Sequence, residues 1–149
     1  MIERSQRFQF WRRWLLAGTS ELILFGSVLM FAPDLSRSLF SLLLYRSASA
    51  VNRFASEAVS YITFVHTVLG AVIVGWGTAL FFIVVGPFRR ASREAWYALA
   101  VSVAVWFVSD TAFSVWSGFW QNGVLNVAMV ALFVVPLAAT YHVCHESDA

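Results

Sequence analysis

Four strongly polar side chains, Glu21, His66, Asp110 and Asn126, each fall inside a long apolar run of this sequence. A carboxylate and an imidazole at one depth could exchange a proton or hold a cation, and an amide could orient either. The stretch "VWFVSDTAFSVW" (105–116) poses the question most sharply, because Asp110 lies near the middle of Val, Phe and Trp. An ionisable group at such depth costs about 2.5–3.5 kcal/mol on insertion scales, so it normally faces protein or water and takes a partner.

The elements that must position these groups follow from composition. The chain has 149 residues, of which 60% are hydrophobic and 12% charged. A soluble domain of this size would need a larger polar surface. The apolar residues are gathered into runs, which predicts an all-α membrane protein: a four-transmembrane-helix bundle forming a single membrane domain, 1–149. The predicted spans are 14–32, 59–85, 96–116 and 124–141. Each has about the 20 residues that cross a hydrocarbon core of about 30 Å.

Arg4, Arg7, Arg12 and Arg13 precede the first span, and Arg89, Arg90 and Arg93 lie between the second and third. The positive-inside bias then places both termini and the 86–95 loop in the cytoplasm, as in a bacterial inner membrane. The outer loop, 33–58, contains "LSRSLFSLLLY", expected to be a short interfacial helix begun by Ser36 as N-cap. It could serve as a simple connector or as a lid. "SASAVNRFASEA" is expected to continue as helix into the second span. The two arginines of "WRRWLLAG" resemble a twin-arginine signal, but Glu21 interrupts the run and "MFAPD" is a poor cleavage site. An uncleaved first span is expected.

Depth decides which polar groups can meet. Asp110 lies fourteen residues beyond Trp96, or about 21 Å above the inner edge. His66 lies seven residues beyond Val59 on a descending helix, about 20 Å above that edge, so the two share a layer. Asn122 and Asn126 belong to the same outer half, and Ser109 and Thr63 lie on the polar stripes beside Asp110 and His66. The candidate site is therefore His66, Asp110 and Asn126, supported by Asn122, Ser109 and Thr63. Glu21 forms a separate inner-half site or snorkels towards Arg12 or Arg13. The main site could bind a small ligand, a cation or a proton, or act as an interhelical clasp. Gly70, Gly77 and the Ala71–Gly75 spacing suit close approach of backbones. Trp76, Trp106, Trp116 and Trp120 could line an apolar pocket, whereas Trp11, Trp14 and Trp96 read as interface anchors.

Other chemistry finds little support. No nucleophile–base–orienter set is visible, so no residue is assigned as catalytic and an enzyme is not expected. One His and two acids make no specific metal motif, and no cofactor can be named. The single cysteine, Cys144, excludes an intrachain disulfide. "YHVCHESDA" reads as a solvated tail before it reads as a metal site. "GWG" (75–77) is a packing feature without the strand, Lys or Ser of a P-loop. The net charge of +2, placed beside apolar runs, argues against nucleic acid as a partner. Expected partners are the lipid bilayer and a homo-oligomer or larger membrane complex. Two functions stay open: a non-enzymatic protein with an intramembrane polar site for ligand binding or proton-coupled transport, and an accessory subunit whose polar residues only fasten helices.

"GAVIVGWGTALFFIVVGPFRR" (70–90), "WFVSDTAFS" (106–114), "QNGVLN" (121–126) and "VVPLAAT" (134–140) together resemble a family of small, uncharacterised prokaryotic four-helix membrane proteins. The resemblance covers about residues 60–140. It implies a four-helix integral membrane protein and brings no activity, cofactor or partner.

Overall fold

The computed structural model describes residues 2–146. Lipid offers the backbone no hydrogen-bond partner, so an apolar run closes its own bonds as a helix. Among the described residues the helices are α1 (Ile2–Phe31), α2 (Pro33–Tyr45), α3 (Ser56–Val85), α4 (Arg93–Trp116) and α5 (Trp120–Glu146). Short 3-10 turns occupy Val51–Arg53 and Pro87–Arg90. Helices α1, α3, α4 and α5 are long and apolar enough to cross a membrane, which marks the chain as an integral membrane protein.

Several helix ends differ from expectation for local reasons. Helix α1 begins at Ile2, well before Trp14. Arg, Gln and Phe sustain a helix without a lipid environment, and Arg12 Nε donates to Gln9 Oε1 at 3.1 Å. Helix α2 begins at Pro33, not after a Ser36 cap. Proline has no N–H to lose in the first turn, and Asp34 there complements the positive end of the helix dipole. Ser36 is instead buried within α2.

The segment expected to run as helix into the second span is broken. Arg46 ends α2 in the left-handed region, at φ 57°, with its N–H on the Leu42 carbonyl. Ser41 Oγ donates to the Ser47 carbonyl at 2.6 Å and accepts from the Val51 N–H at 3.2 Å. Phe54 is then extended, and α3 starts two residues later. At the other end of the chain, α5 continues to Glu146. His142 and His145 are therefore helical, and Cys144 is buried. They are not a solvated tail; Ser147–Ala149 lie outside the described residues.

The helices group into two compact units. One comprises the residues up to Ser20 and those from Ala79 onward; the other is Glu21–Thr78. In the first, Phe8, Leu15, Leu80, Val84, Leu99 and Phe133 are buried, and Phe8 stacks on Phe88 with ring centroids 5.5 Å apart. Pro136 lies inside α5 and has no N–H for the Leu132 carbonyl one turn earlier. The Trp14 indole N–H donates to that carbonyl at 3.1 Å. Trp14, expected as an interface anchor, thus supplies a donor to the carbonyl that Pro136 leaves without one.

In the second unit α1 and α3 meet through glycine. A Cβ on Gly26 would sit 2.7 Å from the Gly70 carbonyl oxygen, and one on Gly70 would sit 2.6 Å from the Gly26 oxygen. Only two glycines allow that approach. Gly77 packs on Leu22 and Ile23. A Cβ on Gly75 would meet nothing within 4 Å, so the Ala71–Gly75 spacing forms no such contact among the described residues.

Candidate functional site

The hairpin of α4 and α5 is set by its turn. Helix α4 ends through Ser117 and Gly118, the latter at φ 82°. The Gly118 N–H bonds the Val115 carbonyl at 3.1 Å, and the Phe119 N–H bonds the Ser114 carbonyl at 2.8 Å. That pair of bonds is a Schellman motif, which favours glycine at the left-handed position. Helix α5 starts at once, at Trp120. The last turns of α4 therefore face the first turns of α5, where Asn122 and Asn126 share a side at i, i+4 spacing.

This places an acid among amides and hydroxyls. Asp110 Oδ1 accepts from Asn122 Nδ2 at 3.2 Å and from Ser114 Oγ at 3.3 Å. Asp110 Oδ2 accepts from Asn126 Nδ2 at 3.0 Å. Asn122 Nδ2 also reaches Ser114 Oγ at 2.9 Å, and Asn126 Nδ2 reaches Thr111 Oγ1 at 3.2 Å. Asn126 is 2% exposed and Ser114 6%, whereas Asp110 is half-buried. An ionised carboxylate can only accept, which fixes both amides with nitrogen towards it. Among the described residues no basic side chain bonds Asp110. Its hydrogen-bond partners among the described residues are all neutral donors.

The sequence pointed to Asp110, Asn122 and Asn126, and the structure brings these three together. It adds Ser114 and Thr111, which the sequence reading missed. The signal for Ser114 was its i+4 position after Asp110, where helical neighbours meet. Ser109 is exposed and makes no hydrogen bond among the described residues.

His66 and Thr63 have their own partners in the Glu21–Thr78 unit. His66 Nδ1 and Ser36 Oγ lie 3.0 Å apart, and the Phe40 ring centroid is 4.6 Å from the imidazole. Arg37 Nη1 donates to Thr63 Oγ1 at 2.8 Å, and Thr63 in turn donates to the Val59 carbonyl. Arg37 Nη2 pairs with Asp34. The expected site thus resolves into two polar sets, one in each unit. Glu21 is exposed and makes no hydrogen bond or ion pair among the described residues.

A third cluster closes the other end of the α4–α5 hairpin. The Trp96 indole donates to the Leu137 carbonyl at 2.8 Å, and Tyr141 stacks on His145 at 4.0 Å. His145 Nδ1 lies 2.8 Å from the Tyr141 carbonyl, which can only accept, so Nδ1 carries the proton. Among the described residues, no three His, Cys, Asp or Glu side chains gather where they could hold a metal ion. Beside this cluster is an apolar groove of about 560 Å³ between α4 and α5. Trp96 and Phe107 line it, whereas Trp76, Trp106, Trp116 and Trp120 do not. Trp116 is 85% exposed.

No family model matches this chain, and no curated protein or solved structure shows significant similarity to it.

Proposed function

We propose that this is a non-enzymatic membrane protein that takes up and releases a proton at Asp110 and couples the change to movement of α5 against α4. The observation that carries this is the carboxylate itself: both oxygens are held by amides of α5, with no basic partner among the described residues. In the ionised state every bond runs from neutral donor to carboxylate. A proton taken from water removes the charge and turns one carboxyl oxygen into a donor. On Oδ1 the Ser114 hydroxyl can turn to accept that donor, but on Oδ2 it faces the Asn126 N–H, which cannot accept. A proton on Oδ2 therefore requires Asn126 to rotate and offer its oxygen, or α5 to shift. Proton occupancy and helix contact are thus linked.

The arginine bias orients both termini and the 86–95 loop to the cytoplasm of a bacterial inner membrane, with Asp110 in the outer half. Helix α2 fits an interfacial position over α3. Its Ser36 and Ser41 are buried, while Leu35, Leu39 and Leu42 point outward at i, i+4 and i+7. The resemblance over residues 60–140 adds no activity.

The test is pH-driven flux in proteoliposomes, compared between wild type and Asp110→Asn. Proton coupling predicts that the variant folds and loses pH-dependent flux. Equal flux in both proteins would remove Asp110 from the mechanism.

A second function has its own support. Ser114 and Asn126 are buried and their side-chain bonds stay within the α4–α5 hairpin, as in a clasp of an accessory subunit. That role predicts loss of folding in Asp110→Asn, with no pH-dependent flux in wild type.

A further inference from the structure

The groove between α4 and α5 has a shape and a rim that specify an occupant. Its walls are apolar, with Ala100, Ala104 and Ala138 leaving room where larger side chains would fill it. It runs along α4 from Trp96 to Val108, about 18 Å of helix. One leaflet of the hydrocarbon core is about 15 Å deep. The groove therefore spans what one acyl chain spans, from the headgroup zone to the midplane. Val108, Val134 and Tyr141 on its walls are strongly exposed, so the channel is open along its side.

The rim at the Trp96 end is cationic and aromatic. Arg93, one turn before Trp96, lies over the Tyr97 ring at 5.7 Å. His142 is an exposed lining residue at the same end. Arg89 and Arg90 are exposed just before α4. Glu94, the described acid in this stretch, accepts from Ser92 Oγ at 2.7 Å and lies near the Arg93 charge; Arg89, Arg90 and Arg93 outnumber it. Tryptophan and tyrosine prefer the headgroup level, and basic side chains there attract anionic lipid. A zwitterionic headgroup has no such net attraction.

We infer that this groove is a binding site for an anionic phospholipid, with one acyl chain along Ala100, Ala104 and Ala138 and the phosphate at Arg93 and His142. The site lies wholly in the unit that contains α4 and α5, and it stands whether or not Asp110 exchanges a proton.

The experiment is native mass spectrometry of the full chain released from nanodiscs containing equal palmitoyl-oleoyl phosphatidylglycerol and phosphatidylcholine. Wild type should retain one phosphatidylglycerol in about fivefold excess over phosphatidylcholine, the weight of one basic side chain beside an anionic lipid. The double variant Arg93→Gln/His142→Gln should keep a lipid but lose the preference. Ala104→Phe, which fills the groove, should lose the adduct while keeping wild-type helicity. Equal retention of both lipids by wild type, or an unchanged adduct in folded Ala104→Phe, would overturn the site. If Ala104→Phe does not fold, the double variant decides: an unchanged preference overturns the site, and a lost preference supports it.

Discussion

Asp110 and His66 are each held by small polar side chains in a membrane-spanning helix, but their partners differ in one respect. Asp110 Oδ2 is bound by the Asn126 amide nitrogen, which only donates, and Oδ1 by the Asn122 amide nitrogen and the Ser114 hydroxyl. His66 is bound by the Ser36 hydroxyl, which donates or accepts as required. When His66 gains or loses a proton, the hydroxyl turns and the bond survives. When Asp110 gains a proton on Oδ2, the bond from Asn126 must be remade. Charge balance points the same way. Arg37 beside Thr63 is paired with Asp34, whereas Asp110 has only neutral partners among the described residues. On the proposed function the Asp110 set responds to a proton, while the Ser36–His66 and Arg37–Thr63 bonds join α2 to α3.

Substitutions can break that contrast. The largest effect is expected at Asn126. Asn126→Leu removes the donor shared by Asp110 and Thr111 and leaves a buried acceptor unsatisfied. It should cost about 1–3 kcal/mol, read as a lower unfolding midpoint in detergent at neutral pH. Much of that loss should disappear at a pH low enough to protonate Asp110. Gly118→Ala forces a side chain into a left-handed position and should cost about 1–2 kcal/mol. It acts on the hairpin turn and should leave hydrogen exchange in residues 21–78 unchanged. Ser36→Ala removes one hydrogen bond from the α2–α3 set and should cost about 0.6 kcal/mol, the average for such bonds in membranes. It should leave the Asp110 response intact. Ser109→Ala should stay within about 0.5 kcal/mol of wild type, as expected for an exposed side chain with no bond to lose. A large effect there would restore Ser109 to the site.

The four long helices were legible because length and apolar composition suffice to specify them. The helix starts were less so. Ser36 was a plausible cap, but Pro33 three residues earlier offered a better first turn. A short helix was expected at 35–45, while the burial of Ser36 and Ser41 became visible only in three dimensions. The site was half legible. Counting residues from the span ends gives depth, and depth grouped Asp110 with His66 as well as with Asn122 and Asn126, of which the two amides bond it. Depth says nothing of direction around the helix axis, so it could not reveal that Ser36 is the partner of His66. Pro136 held a readable clue, since a proline within a membrane helix leaves the Leu132 carbonyl seeking a donor. That the donor is Trp14, 118 residues away in sequence, follows from packing alone.

The most direct test is infrared difference spectroscopy of the protein in lipid, recorded across a pH titration for wild type and Asp110→Asn. A responsive Asp110 gives wild type a protonated-carboxyl band that rises as pH falls, together with a change in the Asn side-chain carbonyl bands. Both should be absent from the folded variant. The same two spectral changes in Asp110→Asn, or a carboxyl band in wild type with no change in the amides, would contradict it.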